Sequence, residues 1–385
     1  MTGDDLLRGL DSAQLAAVTS EAAPLAIVAA AGSGKTTVLT RRIAHRVGTG
    51  SAMPRHVLAL TFSRDAASEL RRRLRRLELR EPVDAGTFHS VALRLLRDRA
   101  LVRNEAPPVL APDRLRLVRE VLTQIGVRAE PYLAANDLDW ARARLIDVER
   151  YEGACRMERR RSAVPVAKWG DFTTAYAQLK RRRRVVDFDD LLSDALVALR
   201  HDTAWADGVR WRYRHFFVDE AQDLNPLQHA VLEALRDDRP DLCLVGDPRQ
   251  AIYGWNGADH TLLAEVERHW PGVTVIALES NHRCSPQVVR AAAAVLDANG
   301  QADSTESGLA DGPSVRVIGF DDELAEADAV ARHVAAQLHH HGAAELAVLA
   351  RTNEQVSLLQ RALEAAGVPA EVAVGRSPLE QAVRT

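Results

Sequence analysis

Short apolar runs bounded by turn residues, each followed by an amphipathic stretch, recur along the chain in the pattern of a parallel α/β sheet. Leu25–Val28 runs into a glycine-rich turn and then a predicted helix from about Lys35 to Val47. Val57–Thr61 leads into a helix through Leu77, and His215–Val218, Leu242–Val245 and Val273–Ala277 are predicted as three further strands. Between about residues 91 and 200 the apolar positions recur at helical spacing instead. That change predicts an all-helical insertion, 91–199, inside a first α/β domain made of 1–90 and 200–278.

A second, smaller α/β unit is predicted over 279–385. It opens with a helix from Pro286 to about Asn299 and a polar, acidic linker, Gln301–Gly312. Strand Val315–Phe320, a helix from about Glu323 to His339, strand Leu346–Ala350 and a helix from about Glu354 to Ala366 follow. Gly367-Val-Pro369 closes that last helix with glycine and proline in the expected order. Beyond Val374 the chain runs 11 residues with no predicted closing element. Three adjacent histidines, His339–His341, cannot share one helix face, so they read as a solvated helix end and not as a metal site.

Composition narrows the class. At roughly 150 residues per domain, 385 residues predict two or three domains, and 46 % hydrophobic with 27 % charged residues excludes wholesale disorder. No apolar run approaches the ~18–20 residues of a membrane span, and the start lacks a signal peptide's basic and apolar regions. Three widely spaced cysteines, Cys155, Cys243 and Cys284, exclude a disulfide framework and a zinc site built mainly of cysteine. These features fit a reducing cytoplasm.

The net charge of −3 is no polycation, but charge is uneven: residues 141–184 carry 13 basic and 5 acidic side chains, and 299–330 carry one basic and eight acidic. A basic stretch is a place where a phosphate backbone could sit, although most such runs are solvated helix faces. Only three of the 50 basic residues are lysines, Lys35, Lys168 and Lys180, so a lysine at a chemically meaningful position is informative.

Lys35 stands at such a position. Ala29-Ala30-Ala31-Gly32-Ser33-Gly34-Lys35-Thr36 follows a predicted strand and opens a predicted helix, the context a phosphate-binding loop requires. Small residues let the backbone wrap phosphate oxygens and aim its N–H groups and the positive helix end at them. Lys35 adds charge near the β- and γ-phosphates, and Thr36 offers a hydroxyl to Mg²⁺. The second half of the site is His215-Phe-Phe-Val-Asp219-Glu220-Ala-Gln222-Asp223, a buried strand that ends in paired acids. Asp219 is expected to hold Mg²⁺ through water and Glu220 to orient and deprotonate the attacking water.

With these two elements in place, the chain resembles the UvrD/PcrA/Rep group of superfamily 1 DNA helicases, motif by motif and in order. Leu10-Asp-Ser-Ala-Gln14 is similar to the family's adenine-reading motif, Thr61–Glu69 to motif Ia and Gly86-Thr87-Phe-His89-Ser to motif Ib. Val186–Leu192 resembles the segment that leads to the Asp-Glu box. Gly246-Asp-Pro-Arg-Gln250-Ala-Ile-Tyr253-Gly-Trp255-Asn256 resembles motif III, Leu278–Arg283 motif IV, and Ala350-Arg351-Thr-Asn353 a later motif of the second motor domain.

The resemblance implies RecA-like P-loop folds and a set of roles. Gln14 would read the adenine, Gln250 would sense the γ-phosphate, and Arg283 would act as an arginine finger. Phe62, Tyr253 and Trp255 would stack on unpaired bases, and Arg64, Thr87, His89 and Arg351 would contact the strand and its phosphates. Three positions depart from the family pattern: Thr37 stands where many members carry arginine, His282 replaces a base-stacking tyrosine, and Asn256 stands where arginine is usual.

The resemblance therefore implies an ATP- and Mg²⁺-dependent 3′→5′ motor on single-stranded DNA and single/double-strand junctions. It would serve repair or recombination without base-sequence preference. The late motifs of the second motor domain do not follow Val374, so a partial second domain is expected, with weak DNA-stimulated hydrolysis and no processive unwinding from these residues alone. Two other readings remain open at this point: the motor subunit of a helicase–nuclease complex, and a DNA-binding regulatory protein with a degenerate helicase fold.

Overall fold

The computed structural model describes residues 3–372 apart from Glu78, Arg80, Ala302, His339, His341, Ala343 and Ala344. Two members of the histidine triplet, and everything from Ala373 onward, thus lie outside the described residues. The chain divides into an N-terminal unit that ends at Gly312 and a second unit that begins at Pro313.

The N-terminal unit is built on six strands: β1 (Leu25–Ala29), β2 (Val57–Thr61), β3 (Asp84–Thr87), β4 (His215–Val218), β5 (Leu242–Gly246) and β6 (Thr274–Leu278). They form one sheet in the order β3-β2-β4-β5-β1-β6, with every neighbouring pair parallel. The central strands are buried on both faces, so their sequences are apolar without alternation, as parallel sheets require. Side chains nevertheless alternate between two cores. Leu58, Leu60, Phe216, Val218, Leu242 and Leu244 pack against helices Phe88–Arg103, Asp190–His201 and Pro226–Arg236. Leu25, Ile27, Val57, Ala59, Phe217 and Val245 face the helices Ser12–Thr19, Lys35–Gly48 and Arg64–Arg76.

In the N-terminal unit the five strands expected from the sequence form within a residue or two of their expected bounds, and β3 is an additional strand. Its sequence, Asp-Ala-Gly-Thr, has no apolar run; it becomes a strand because β2 offers it an edge, with Leu58 to Thr61 registered on Asp84 to Thr87.

Between the helices Phe88–Arg103 and Asp190–His201, four helices (Arg114–Gln124, Pro131–Ala143, Val148–Met157 and Trp169–Arg183) enclose an aromatic core of their own. Tyr151 and Trp169 stack there at 3.8 Å with planes 7° apart. The basic stretch 141–184 is divided by this packing. Lys180 is 4 % exposed and pairs with Asp187 at 2.8 Å, and Arg142 reaches the same carboxylate at 2.6 Å, while Arg181–Arg184 stay exposed.

After β6 the chain forms β7 (Ser280–Asn281), which pairs in parallel with β8 (Glu306–Ser307) after helix Pro286–Ala298. This segment clusters with the N-terminal unit.

In the second unit, helices Glu323–Gln337 and Asn353–Ala365 pack together around Ala331, Leu363 and Val368. The strands expected at Val315–Phe320 and Leu346–Ala350 are not formed among the described residues: both segments lack a ladder, and Val317 and Leu349 are 96 % and 92 % exposed. An apolar run is strand-competent, but a strand exists only where a neighbour supplies the other half of each backbone hydrogen bond.

Candidate functional site: a nucleotide-binding cleft beside an aromatic ladder

The sites of parallel α/β sheets form beyond the C-terminal ends of the strands. Here β1, β4, β5 and β6 deliver Ala29–Thr36, Asp219–Asp223, Gly246–Gln250 and Leu278–Arg283 to that edge. The phosphate-binding loop turns through Gly32 (φ +75°) and Gly34 (φ +86°), left-handed conformations that glycine adopts without penalty, and Lys35 then begins its helix. Lys35 Nζ lies 3.4 Å from the Ala29 carbonyl oxygen, and Ser33 Oγ donates to the Ala30 carbonyl at 2.7 Å. The two halves of the predicted site meet: Thr36 Oγ1 lies 3.4 Å from Asp219 Oδ2, across 183 positions of sequence.

Burial, and then the charge of neighbouring Glu220, push the Asp219 carboxyl up to about 6. The same two causes push Asp223 to about 7, and its Oδ1 is buried without a hydrogen-bond partner among the described residues. These crowded carboxylates and the Thr36 hydroxyl are hard oxygen donors, the chemistry that suits Mg²⁺. Among the described residues no cluster of three or more His, Cys, Asp or Glu could hold a metal by protein ligands alone.

Glu220 sits at φ +54°, left-handed, on the sharp turn after β4. Its carboxylate accepts from Gln222 Nε2 at 2.9 Å, and the Gln222 oxygen accepts from the Asp247 amide at 3.0 Å. Asp247 Oδ2 in turn accepts from Gln250 Nε2 at 2.7 Å, so four residues on two strand ends form one continuous chain of hydrogen bonds. The contact is close enough that a Cβ at Gly246 would lie 2.4 Å from Gln222 Oε1.

A cavity of about 260 Å³ opens beside this chain, lined by Thr61, Phe62, Glu220, Gln222, Gln250 and Tyr253 among others. Phe62 and Tyr253 stack at 5.0 Å with planes 30° apart, and Tyr253 leads to Trp255 at 6.4 Å, tilted by 50°. Trp255 is 59 % exposed, so it is no core side chain. Asn256 follows in the same turn, and Arg64 opens the helix that starts after Phe62.

Other predicted residues lie as follows. Gln14 is buried and donates through Nε2 to the Ser33 carbonyl at 2.8 Å, while its oxygen closes the capping box with the Asp11 amide. Thr37 Oγ1 accepts from Arg73 Nη1 at 3.1 Å, so a guanidinium stands beside Thr37. His282 Nε2 faces Asp11 Oδ2 at 2.9 Å and Arg283 is exposed on the same turn. Thr87 is 8 % exposed and caps the helix Phe88–Arg103 through the Ser90 amide. His89 stacks on Phe188 at 3.9 Å, and burial drives its ring down to about 3. Arg351 lies in the second unit, just before helix Asn353–Ala365 and near Glu323 and Glu326.

Residues not singled out from the sequence are Gln222 as a relay, Asp247 as its hub, Arg73 and Asn281. Asp247 and Asn281 stand inside matched motifs, which is the signal that pointed to the region without pointing to them.

Residues 10–271 match the UvrD/REP helicase N-terminal domain and residues 276–377 the UvrD-like helicase C-terminal domain. The ATP-dependent DNA helicase UvrD2 of Mycobacterium tuberculosis is 35 % identical over 97 % of this chain and 56 % of its own length. The ATP-dependent DNA helicase UvrD1 of Mycobacterium leprae is 34 % identical, and PcrA of Bacillus subtilis 28 % identical, each over 50 % of its length. The chain thus spans about half the length of the curated relatives it matches. With family matches running from residue 10 to residue 377, this chain belongs to the UvrD/REP helicase family.

Proposed function

We propose that this chain hydrolyses ATP at the cleft between Gly32–Thr36 and Asp219–Glu220, with single-stranded DNA on the Phe62–Tyr253–Trp255 ladder as the stimulating partner. One observation carries the reading. The carboxylate best placed to activate water and the rings best placed to stack on bases line a single cavity. The Glu220–Gln222–Asp247–Gln250 chain runs along that cavity, so strain on either side reaches the other through fixed hydrogen bonds.

The chemistry follows from the geometry. The N–H groups of the loop and the positive end of helix Lys35–Gly48 bind the phosphates, and Lys35 supplies a compact positive charge. Gln222 holds one oxygen of Glu220, leaving the other to take the proton of the attacking water as the bond between the γ-phosphorus and the bridging oxygen breaks. Thr36 and Asp219 would hold a phosphate-bound Mg²⁺, which when bound neutralises charge on the β- and γ-oxygens. Gln250, fixed by Asp247, lines the cavity where γ-phosphate departure would be felt.

The names of the relatives, ATP-dependent DNA helicases, support translocation coupled to this cycle. The polarity that the resemblance implies is 3′→5′, on single strands and junctions, without base-sequence preference and in repair or recombination. No helix among the described residues is long and apolar enough to cross a membrane, and a cytoplasmic location is part of the proposal. The test is ATP hydrolysis with and without single-stranded DNA for the wild type, Lys35→Ala and Glu220→Gln. Stimulated hydrolysis that collapses in both variants is expected; equal rates in all three overturn the site assignment.

A further inference from the structure

Asn281 lies 250 positions from the phosphate loop in sequence, yet its side chain is joined to it. The residue is 3 % exposed, on β7 just beyond β6. Its Nδ2 donates to the Ala31 carbonyl at 2.7 Å, and its Oδ1 accepts from the amides of Arg283 at 2.8 Å and Cys284 at 2.7 Å. Those partners determine the orientation of the carboxamide: two N–H donors on one side and a carbonyl on the other admit one assignment. The next residue extends the seam, because the His282 amide donates to the Gly32 carbonyl at 2.9 Å. The approach is so close that a Cβ at Gly32 would lie 2.6 Å from Asn281 Oδ1.

The consequence is directional. The peptides Ala31–Gly32 and Gly32–Ser33 are trans, so each N–H points opposite to its carbonyl. With the Ala31 carbonyl held by Asn281 and the Gly32 carbonyl by the His282 amide, the Gly32 amide points away from β7, while the Ser33 amide closes the loop on the Ala30 carbonyl at 3.2 Å. Phosphate recognition by a backbone cradle depends on that orientation. The same carboxamide fixes the backbone of Arg283, the candidate arginine finger.

We propose that Asn281 is a positioning residue that sets the phosphate-loop peptides for nucleotide and holds Arg283 in register with them. Nδ2 acts on the loop and Oδ1 on the arginine turn. The proposal rests on the nucleotide reading of the cleft and names a residue through which it works.

The two atoms can be tested apart. ADP with Mg²⁺ carries no γ-phosphate, so its affinity reads the loop and not the arginine. In titration calorimetry on the full chain, Asn281→Asp keeps the acceptor for Arg283 and Cys284 but loses the donor to Ala31. It is expected to raise the ADP Kd about tenfold or more at pH 8, the consequence of a buried carbonyl losing its donor. Affinity relative to wild type should recover as pH falls to 5.5, because a protonated carboxyl donates again. Arg283→Ala should lower kcat for ATP while leaving the ADP Kd within about twofold.

Hydrogen exchange on the wild type makes the test independent of how the variant folds: ADP is expected to protect both 29–36 and 280–284. Protection of 29–36 alone, or an unchanged ADP Kd in Asn281→Asp, overturns the role of Asn281. Failure of the wild type to bind ADP overturns the nucleotide site itself, a different result.

Discussion

Gln222 donates to the Glu220 carboxylate at 2.9 Å while its own oxygen accepts the Asp247 amide at 3.0 Å, so one carboxamide spans the ends of β4 and β5. These strands are neighbours in the sheet. Replacing Gln222 by Glu preserves its size but sets a second carboxylate against Glu220 and an acceptor where a donor is needed. The expected outcome is a fall of about tenfold to a hundredfold in DNA-stimulated kcat with little change in KM for ATP. Steady-state kinetics at saturating DNA check it; a change confined to KM would count against the relay.

Arg249 reaches from the Pro248–Gln250 turn to Asp303, just ahead of β8, and also holds Asp247 at 3.0 Å. The pair is largely shielded, with side-chain exposures of 23 % and 10 %. A double-mutant cycle of Arg249→Gln and Asp303→Asn in urea denaturation is expected to give a coupling of about 1 kcal/mol. Strict additivity of the two single changes would show that the pair contributes nothing as a pair.

Trp255 exposes most of its ring and ends the Phe62–Tyr253–Trp255 series. Trp255→Ala should weaken binding of a fluorescent oligothymidine by about 1–3 kcal/mol, the range of one stacked base. The melting temperature should move by no more than about 2 °C, because an exposed ring contributes little to folding. Loss of stability without loss of DNA affinity would assign the ring to packing.

Asp241 joins the end of helix Lys35–Gly48 to β4, accepting from Arg46 Nη2 at 2.8 Å and from His215 Nδ1 at 2.6 Å. Burial alone would raise its carboxyl, but the hydrogen bonds from His215 and Arg46 outweigh burial and hold it down at about 2, against an ordinary 3.8. A carboxyl lowered by folding stabilises above its unfolded value and loses that contribution as pH falls toward the folded one. The contribution at neutral pH is about 2 kcal/mol. Asp241→Asn is expected to lower urea stability by about that amount at pH 7, with the gap to wild type closing between pH 4 and 2. A gap that stays constant over that range would exclude the linkage.

Much of this molecule is written locally. The runs Leu25–Val28, Val57–Thr61, His215–Val218 and Leu242–Val245 became strands because burial on both faces demands unbroken apolar sequence. Gly32, Gly34, Lys35 and Thr36 mark a candidate phosphate loop, because left-handed turns and phosphate charge each select particular residue types at adjacent positions. The paired acids were legible for the same reason.

Other features depend on who the neighbour is. Asp84–Thr87 is a strand through β2 alone, whereas Val315–Phe320 and Leu346–Ala350, far more apolar, are not strands where no ladder meets them. Thr87 and His89 carry motif-like identities, yet the fold spends one on a helix cap and stacks the other on Phe188. Lys180, in a basic run that reads as surface, is buried against Asp187.

Local pattern therefore specified five of the six sheet strands and pointed to the candidate chemistry at their ends, because periodicity and turn geometry act over a few adjacent residues. The Gln222 relay, the Arg249–Asp303 strut and the Asn281 seam required the folded chain. Each joins side chains from separate strands or turns, and a hydrogen bond a few ångströms long exists only after the backbone has brought its two ends together.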